Sequence, residues 1–461
     1  MSHTLPRRED VLIRGAWVLT MDGGGDIPDG AVYISAGEIA AVGSYRDLAA
    51  ARPDVAVAGD GSGIVTPGLV NAHTHLSEAL IPGMGSEMTL FEWGRDIVTP
   101  VGEHITAEMA REGAVLKGAE MLLSGVTCVN DMFVHSNSGS MASLGVVEGL
   151  ARVGLRGTVS FGAEDALDGV TAMEPMSIVE IIEEQHELAR AAAATELLGF
   201  RLGIGTLLGQ TDELLEAGAG LCRENGWGVH THLAEVREEV VHASLRWGRR
   251  SIPQAAAIGL LDVPIVAGHV IWVTEEDVTL LAGSGAAVAH NPVANMILGS
   301  GVCPVPRLRS AGIPIGIGTD GAASNDSQNM LEALKAAPLL QKVHARDPAV
   351  MSAKDALTMA TREGARALGV DGAVGSLAPG MRADIALFGG TAELAAVHDP
   401  YQQLVYGASP RSVRDVWVDG RRLVADGTPT TVDEAGQSAR CRSLARRLVD
   451  TAGLSGRHSC L

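Results

Sequence analysis

Asn71-Ala72-His73-Thr74-His75 places two imidazoles two residues apart. On an extended strand, residues i and i+2 face the same side, so His73 and His75 can grip one metal ion together. Taken alone the pair is weak evidence in a chain with 14 histidines. Three further clusters strengthen it: His230-Thr231-His232-Leu233-Ala234-Glu235, Gly268-His269 and Gly318-Thr319-Asp320-Gly321. Each ends a short apolar run of strand type. Two imidazoles from the first cluster, one from the second and the carboxylate of the last make a borderline-soft N/O set. That set suits one divalent ion, Zn²⁺ first and Fe²⁺ as the alternative. Such a site lowers the pKa of a bound water from ~15.7 to ~7 and supplies hydroxide at neutral pH.

Residues this far apart can meet only if the fold brings strand ends together. Residues 11–66 read as a small antiparallel β unit, with a helical patch from Tyr45 to Ala51. From Pro67 onward short apolar runs alternate with helix-period stretches. Eight strands are expected, over 68–75, 126–131, 156–162, 200–206, 228–235, 263–270, 286–292 and 313–320. Eight βα units over about 300 residues fit a (β/α)8 barrel better than an open doubly wound sheet, and in a barrel the C-terminal strand ends converge on one face. β texture returns in VGSLAPGMRADIALF and SVRDVWVDGRRLV, which complete the first β unit. The expected architecture is α/β: a small β-sandwich domain from residues 1–66 and 376–430, the barrel over 67–375, and a C-terminal helix and tail over 431–461. The basic amphipathic stretch CRSLARRLVDTAG reads as a solvated surface helix.

The formal charge of -20 argues against nucleic-acid or anionic-membrane partners and for a small molecule. Five well-separated cysteines, Cys128, Cys222, Cys303, Cys441 and Cys460, with no CxxC pair, read as reduced thiols in a cytoplasmic protein. The opening residues lack the apolar run of a signal peptide, no stretch is long enough to span a membrane, and Cys460-Leu461 reads as a frayed tail. Aromatic residues are scarce, with 6 Trp, 5 Phe and 4 Tyr in 461 positions. Those nearest the strand ends, Phe91, Trp93, Phe133 and Trp272, are the candidates for stacking on a planar ligand, against a default reading as core.

The strings TPGLVNAHTHL, HTHLAE, AGHV, HNPVANM, IGTDGAASND, GSLAPGMRADIALF and DVWVDGRRLV resemble the metal-dependent amidohydrolase superfamily. The branch they resemble contains methylthioadenosine/S-adenosylhomocysteine deaminases and s-triazine hydrolases, and the resemblance runs from about residue 10 to 425. It implies that His73, His75, His232 and Asp320 hold a single metal. It implies that His269 touches the metal-bound water, that Glu235 shuttles protons, and that Ser324 contacts substrate or orients Asp320. His230 is then a packed or supporting neighbour, and His290 a structural histidine. Asp320 and His269 would take the water's proton, while Glu235 would protonate a ring nitrogen and then the departing amine. The expected reaction is hydrolytic deamination of a purine-, pterin- or triazine-like N-heterocycle by a homo-oligomeric enzyme.

Two positions depart from the nucleoside deaminases of that branch. Gly102 stands where they carry a ribose-binding glutamate, with Glu103 one residue further on, and Gly205 stands where they carry a substrate-binding histidine. A free base is favoured over a nucleoside on this ground. The alternatives are a nucleoside deaminase, a triazine-type chlorohydrolase or other C–X hydrolase, a cyclic amide hydrolase, and a non-catalytic barrel.

Overall fold

A computed structural model describes residues 5–85, 87–166 and 175–456. The tail residues Cys460 and Leu461 lie outside them. The eight expected strands are present as Leu69–His75, Val126–Phe133, Arg156–Phe161, Leu198–Phe200 with Leu202–Thr206, Val229–Leu233, Ile265–His269, Ala287–His290, and Ile315–Ile317 with Asp320–Gly321. All neighbouring pairs are parallel, and they fall into two five-stranded sheets. The sheets share the fourth and eighth strands, each of which is interrupted. Leu198–Phe200 pairs with the third strand, and Leu202–Thr206 pairs with the fifth. Likewise Ile315–Ile317 pairs with the seventh strand, while Asp320–Gly321 pairs with the first and closes the ring.

The second interruption was not expected from the continuous run 313–320, and it has a local cause. The Thr319 N–H donates to Asn71 Oδ1 at 3.0 Å, and Asn71 Nδ2 donates to Thr319 Oγ1 at 2.7 Å. A side chain of the first strand thus takes over a backbone partner. Immediately afterwards Asp320 adopts φ 64° and swings its carboxylate into the barrel mouth.

Helices follow their local signals. In Asp212–Asn225 the Thr211 side chain accepts from the Leu214 N–H, and Gly226 ends the helix at φ 68°. Between the caps Leu214, Leu215, Gly218, Ala219 and Cys222 recur at helical spacing on the buried face.

Both chain ends build one nine-stranded mixed sheet, in which Ile64–Pro67 pairs antiparallel with Ile385–Phe388. Period-2 alternation divides its side chains between two clusters. Ile385, Leu387 and Trp417 join Val11, Ile13 and Val32 in the sheet's own core, whereas Ala386, Phe388, Val416 and Val418 face the main core of the barrel. The C-terminal helix Glu434–Thr451 is less solvated than its composition suggests. Cys441, Leu444, Leu448 and Val449 are buried, and Gln437 Nε2 donates to Glu112 O at 2.8 Å on the helix Ala107–Leu122. Among the described residues no helix is long and apolar enough to cross a membrane. Cys128, Cys222, Cys303 and Cys441 are buried free thiols.

Candidate active site

The C-terminal strand ends gather His73, His75, His232, His269, Asp320 and Glu235 around one point. His232 Nε2 lies 3.2 Å from His73 Nε2 and 3.1 Å from His75 Nε2. Asp320 Oδ1 lies 3.2 Å from the Nε2 atoms of both His73 and His75. Four ligands at about 2.0 Å from a tetrahedral ion stand about 3.3 Å from one another, so these spacings match a closed metal shell. A looser set of His73, His232, His269 and Asp320, all within 4.8 Å of one another, has His269 in place of His75. The shorter contacts favour His75, because His269 Nε2 stands 3.8 Å from Asp320 Oδ2 and 3.6 Å from Glu235 Oε2. His269 therefore stands at the edge of the cluster and faces Glu235.

Hydrogen bonds fix which ring nitrogen is free on each ligand. His75 Nδ1 donates to Met132 O at 2.8 Å, and His232 Nδ1 to Gly205 O at 2.6 Å. His73 Nδ1 meets His230 Nε2 at 2.7 Å. Burial holds His73 down to about 4 and His232 well below its ordinary value, so both keep a lone pair at neutral pH. Burial works the same way on His75, but Asp320 and Glu78 outweigh it and push that imidazole up to about 9, so ligation there must release a proton. Burial alone would raise the Asp320 carboxyl, yet His269 and His73 keep it far below the usual carboxylate range. This donor set fits one divalent metal ion.

Backbone strain serves the same geometry. Ala234, His269 and Asp320 all have positive φ, at 51°, 69° and 64°. Glu239, which carries no signal in the motif, holds the turn that aims Glu235, accepting from the Ala234 and Glu235 N–H groups at 2.8 Å each. Burial pushes the Glu235 carboxyl up to about 7 and that of Glu78 up to about 8. A divalent charge nearby acts in the opposite direction on both.

The cluster floors a cavity that opens to solvent at the strand ends. Trp93 and Ser324 line it, together with Leu90, Phe91, Val98 and Val134. Phe133 and Trp272 do not, and the expectation that they stack on a ligand is not met. The second strand runs on to Phe133, and alternation sends that ring into the core against Phe161 while Val134 takes the wall. Trp272 is 41% exposed and donates to Ser300 O. Gly102 is buried beside His135 and Ser136 and does not line the cavity, and the neighbouring Glu103 is exposed. Gly205 does line it, and a Cβ there would stand 2.5 Å from Gly162 O. Glu78 and Glu164 also line the cavity. The motif reading missed both, although Glu78 lies only three residues past His75. His290 is buried and outside the cavity wall.

The chain is 34% identical over 446 residues, 96% of its length and 99% of the relative's, to a 5-methylthioadenosine/S-adenosylhomocysteine deaminase of Nitratidesulfovibrio vulgaris. Its structure superposes with a TM-score of 0.88 on an adenosine deaminase from Xanthomonas campestris with bound zinc, at 29% identity, covering 96% of this chain and all of that one. It also resembles a zinc complex of atrazine chlorohydrolase from Arthrobacter aurescens, with a TM-score of 0.85 and 25% identity over 94% of this chain and all of that one. Since the amidohydrolase family model matches residues 64–423, the whole barrel and the strands of the mixed sheet that flank it, the chain belongs to the amidohydrolase family.

Proposed function

We propose that this protein is a metal-dependent hydrolytic deaminase that releases ammonia from an amino-substituted N-heterocycle. The observation that carries the reading is Glu235, a buried carboxyl 3.6 Å from His269 at the edge of the metal cluster. An amine leaves poorly without a proton, whereas chloride does not need one, and a carboxyl pushed up to about 7 is suited to give and retake protons near neutrality.

The ligands His73, His75, His232 and Asp320 suit Zn²⁺, as in the zinc-bound neighbours. When bound, a divalent ion supplies the Lewis acidity that lets a water ionise at neutral pH. His269 Nε2 and Asp320 Oδ2, 3.8 Å apart, would take up the proton that a water sheds beside them. Glu235 protonates the ring nitrogen beside the reacting carbon, regains a proton shed by the water through His269 and Asp320, and passes that one to the amine; the hydroxyl proton lost as the C=O forms resets it. The C–N bond breaks, a C–O bond forms, and the products are an oxo-heterocycle and ammonia. Leu90, Phe91, Val98 and Val134 cover the ring and exclude bulk water.

A free base remains favoured over a nucleoside, because Gly102 is withdrawn from the cavity and exposed Glu103 does not replace it. The nucleoside alternative draws on the named relatives. The buried thiols suit the cytoplasm, and family resemblance supports a homo-oligomer. The test is ammonia and chloride release by the zinc-loaded protein from paired amino- and chloro-purines, pteridines and triazines. Ammonia from the amino rings is expected. Chloride alone would replace this reading with a dehalogenase, and no product from any ring would end it.

A further inference from the structure

The cavity carries more carboxyl groups than this chemistry uses. Besides Asp320 and Glu235, its wall includes Glu78 and Glu164, both fully buried. Glu78 ends the short turn Leu76–Glu78 directly after ligand His75. Its Oε2 accepts from the Ala323 N–H at 3.2 Å, while its buried Oε1 has no hydrogen-bond partner among the described residues. An unpaired oxygen of that kind is costly in a folded chain unless a ligand completes it. Glu164 follows the third strand, and its Oε1 accepts from Thr206 Oγ1 at a long 3.4 Å. Gly209 makes room for it, since a Cβ there would overlap the Glu164 carboxyl.

Among the described residues that line the cavity none is Arg or Lys, and the basic side chains there are the histidines of the candidate metal cluster. A phosphate or carboxylate on the substrate would meet repulsion, whereas neutral N–H donors would be complementary. The depth of the two groups is also informative. Glu78 is three residues from ligand His75, and Glu164 stands beside Gly205, whose carbonyl holds ligand His232. Both therefore border residues that hold or support the candidate metal cluster, where a reacting ring would lie.

We propose that Glu78 and Glu164 determine specificity by accepting hydrogen bonds from N–H groups of the ring itself. The substrate is then an amino-heterocycle bearing a second exocyclic amino group or a ring N–H besides the amine that leaves. This rests on the deaminase reading of the same cavity.

The test uses the zinc-loaded full chain, wild type and the separate variants Glu78→Gln and Glu164→Gln. The probes are diamino and monoamino forms of pyrimidine, pteridine and 1,3,5-triazine. Ammonia release gives kcat/KM, and calorimetry in a Glu235→Gln background gives Kd. In Glu78→Gln the amide oxygen keeps the Ala323 N–H and its NH₂ confronts the ring donor. The wild type is expected to favour the diamino form by about ten- to hundredfold, the worth of a hydrogen bond to a charged group, and each variant should bring that ratio toward one. Equal handling of the two forms by the wild type overturns the proposal, as does a ratio unchanged in both variants. A loss seen only with ribosides of these rings also overturns it, because the carboxyls would then be reading sugar hydroxyls. If no ring releases ammonia, the deaminase reading falls, and the Kd ratios still decide the role of the carboxyls.

Discussion

His73 Nδ1 stands 2.7 Å from His230 Nε2, and the direction of that hydrogen bond can be assigned. Asn130 Nδ2 also points at His230 Nε2, at 3.2 Å, which makes that nitrogen an acceptor. His230 Nδ1 then donates to Ser160 Oγ at 3.0 Å, and Ser160 in turn donates to Asp131 O. The chain of donors leaves His73 Nε2 as a lone pair aimed at the metal. His230, the weaker histidine of its motif, is a positioning residue for His73.

Replacing His230 with Leu removes the acceptor and frees the ring of His73. Metal affinity should fall about 10- to 100-fold while the fold persists. Competition with a chromophoric chelator measures this, and affinity within twofold of wild type would refute the positioning role.

Glu235→Gln should bind metal at the wild-type stoichiometry and lose about 10²- to 10⁴-fold in kcat for amine release. Burial, with Asp320 adding to it and His269 opposing it, raises this carboxyl to about 7. Its protonated form is the donor, so kcat should fall as the carboxyl ionises with rising pH, at a pH that a bound divalent ion sets below the metal-free value. A pH profile checks both points, since the variant should lack the alkaline limb.

Asp320 occupies a left-handed backbone conformation that Asn tolerates. Asp320→Asn therefore tests charge with little backbone cost. Turnover should drop by about a hundredfold or more and metal should bind more weakly, with secondary structure unchanged by circular dichroism. Full metal occupancy with normal turnover would remove Asp320 from the site.

Asp419 ties the chain ends together. Its buried carboxylate takes hydrogen bonds from Arg8, Arg382 and Arg421, and its N–H donates to Asp384, which pairs with Arg156 of the third barrel strand. Burial alone would raise this carboxyl, but Arg382 and Arg8 outweigh it and hold it below its ordinary value. A depressed carboxylate contributes stability above its unfolded pKa of about 3.9 and loses it as pH falls through the folded value. Asp419→Ala should cost about 2–3 kcal/mol at pH 7, less than a fully buried pair because the arginines are partly solvated. Urea melts at pH 7 and pH 3 should show the difference shrinking in acid.

The four candidate ligands were legible because strand parity puts His73 and His75 on one face, while His232 and Asp320 end later strands in strings that resemble the family's motifs. The eight strands were legible from apolar runs and turns. The break before Asp320 was not, because Asn71 imposes it from 248 residues away. Phe133 and Trp272 were misjudged since nearness to a strand end does not set which way a side chain points. Glu164 and Glu239 lay hidden because their roles arise from packing against Gly209 and from the Ala234 turn, neither of which has a spacing rule. The C-terminal helix docks through Gln437 and Cys441, a contact that amphipathic composition alone does not specify.

The interrupted fourth and eighth strands make the barrel two half-shells joined along two seams. His73, His75 and Asp320 belong to one half, and His232 and His269 to the other. An ion held by this set would therefore tie one half-shell to the other. Metal loading should then brace the cylinder as it readies the site, so an empty site would leave the two halves joined only along their seams.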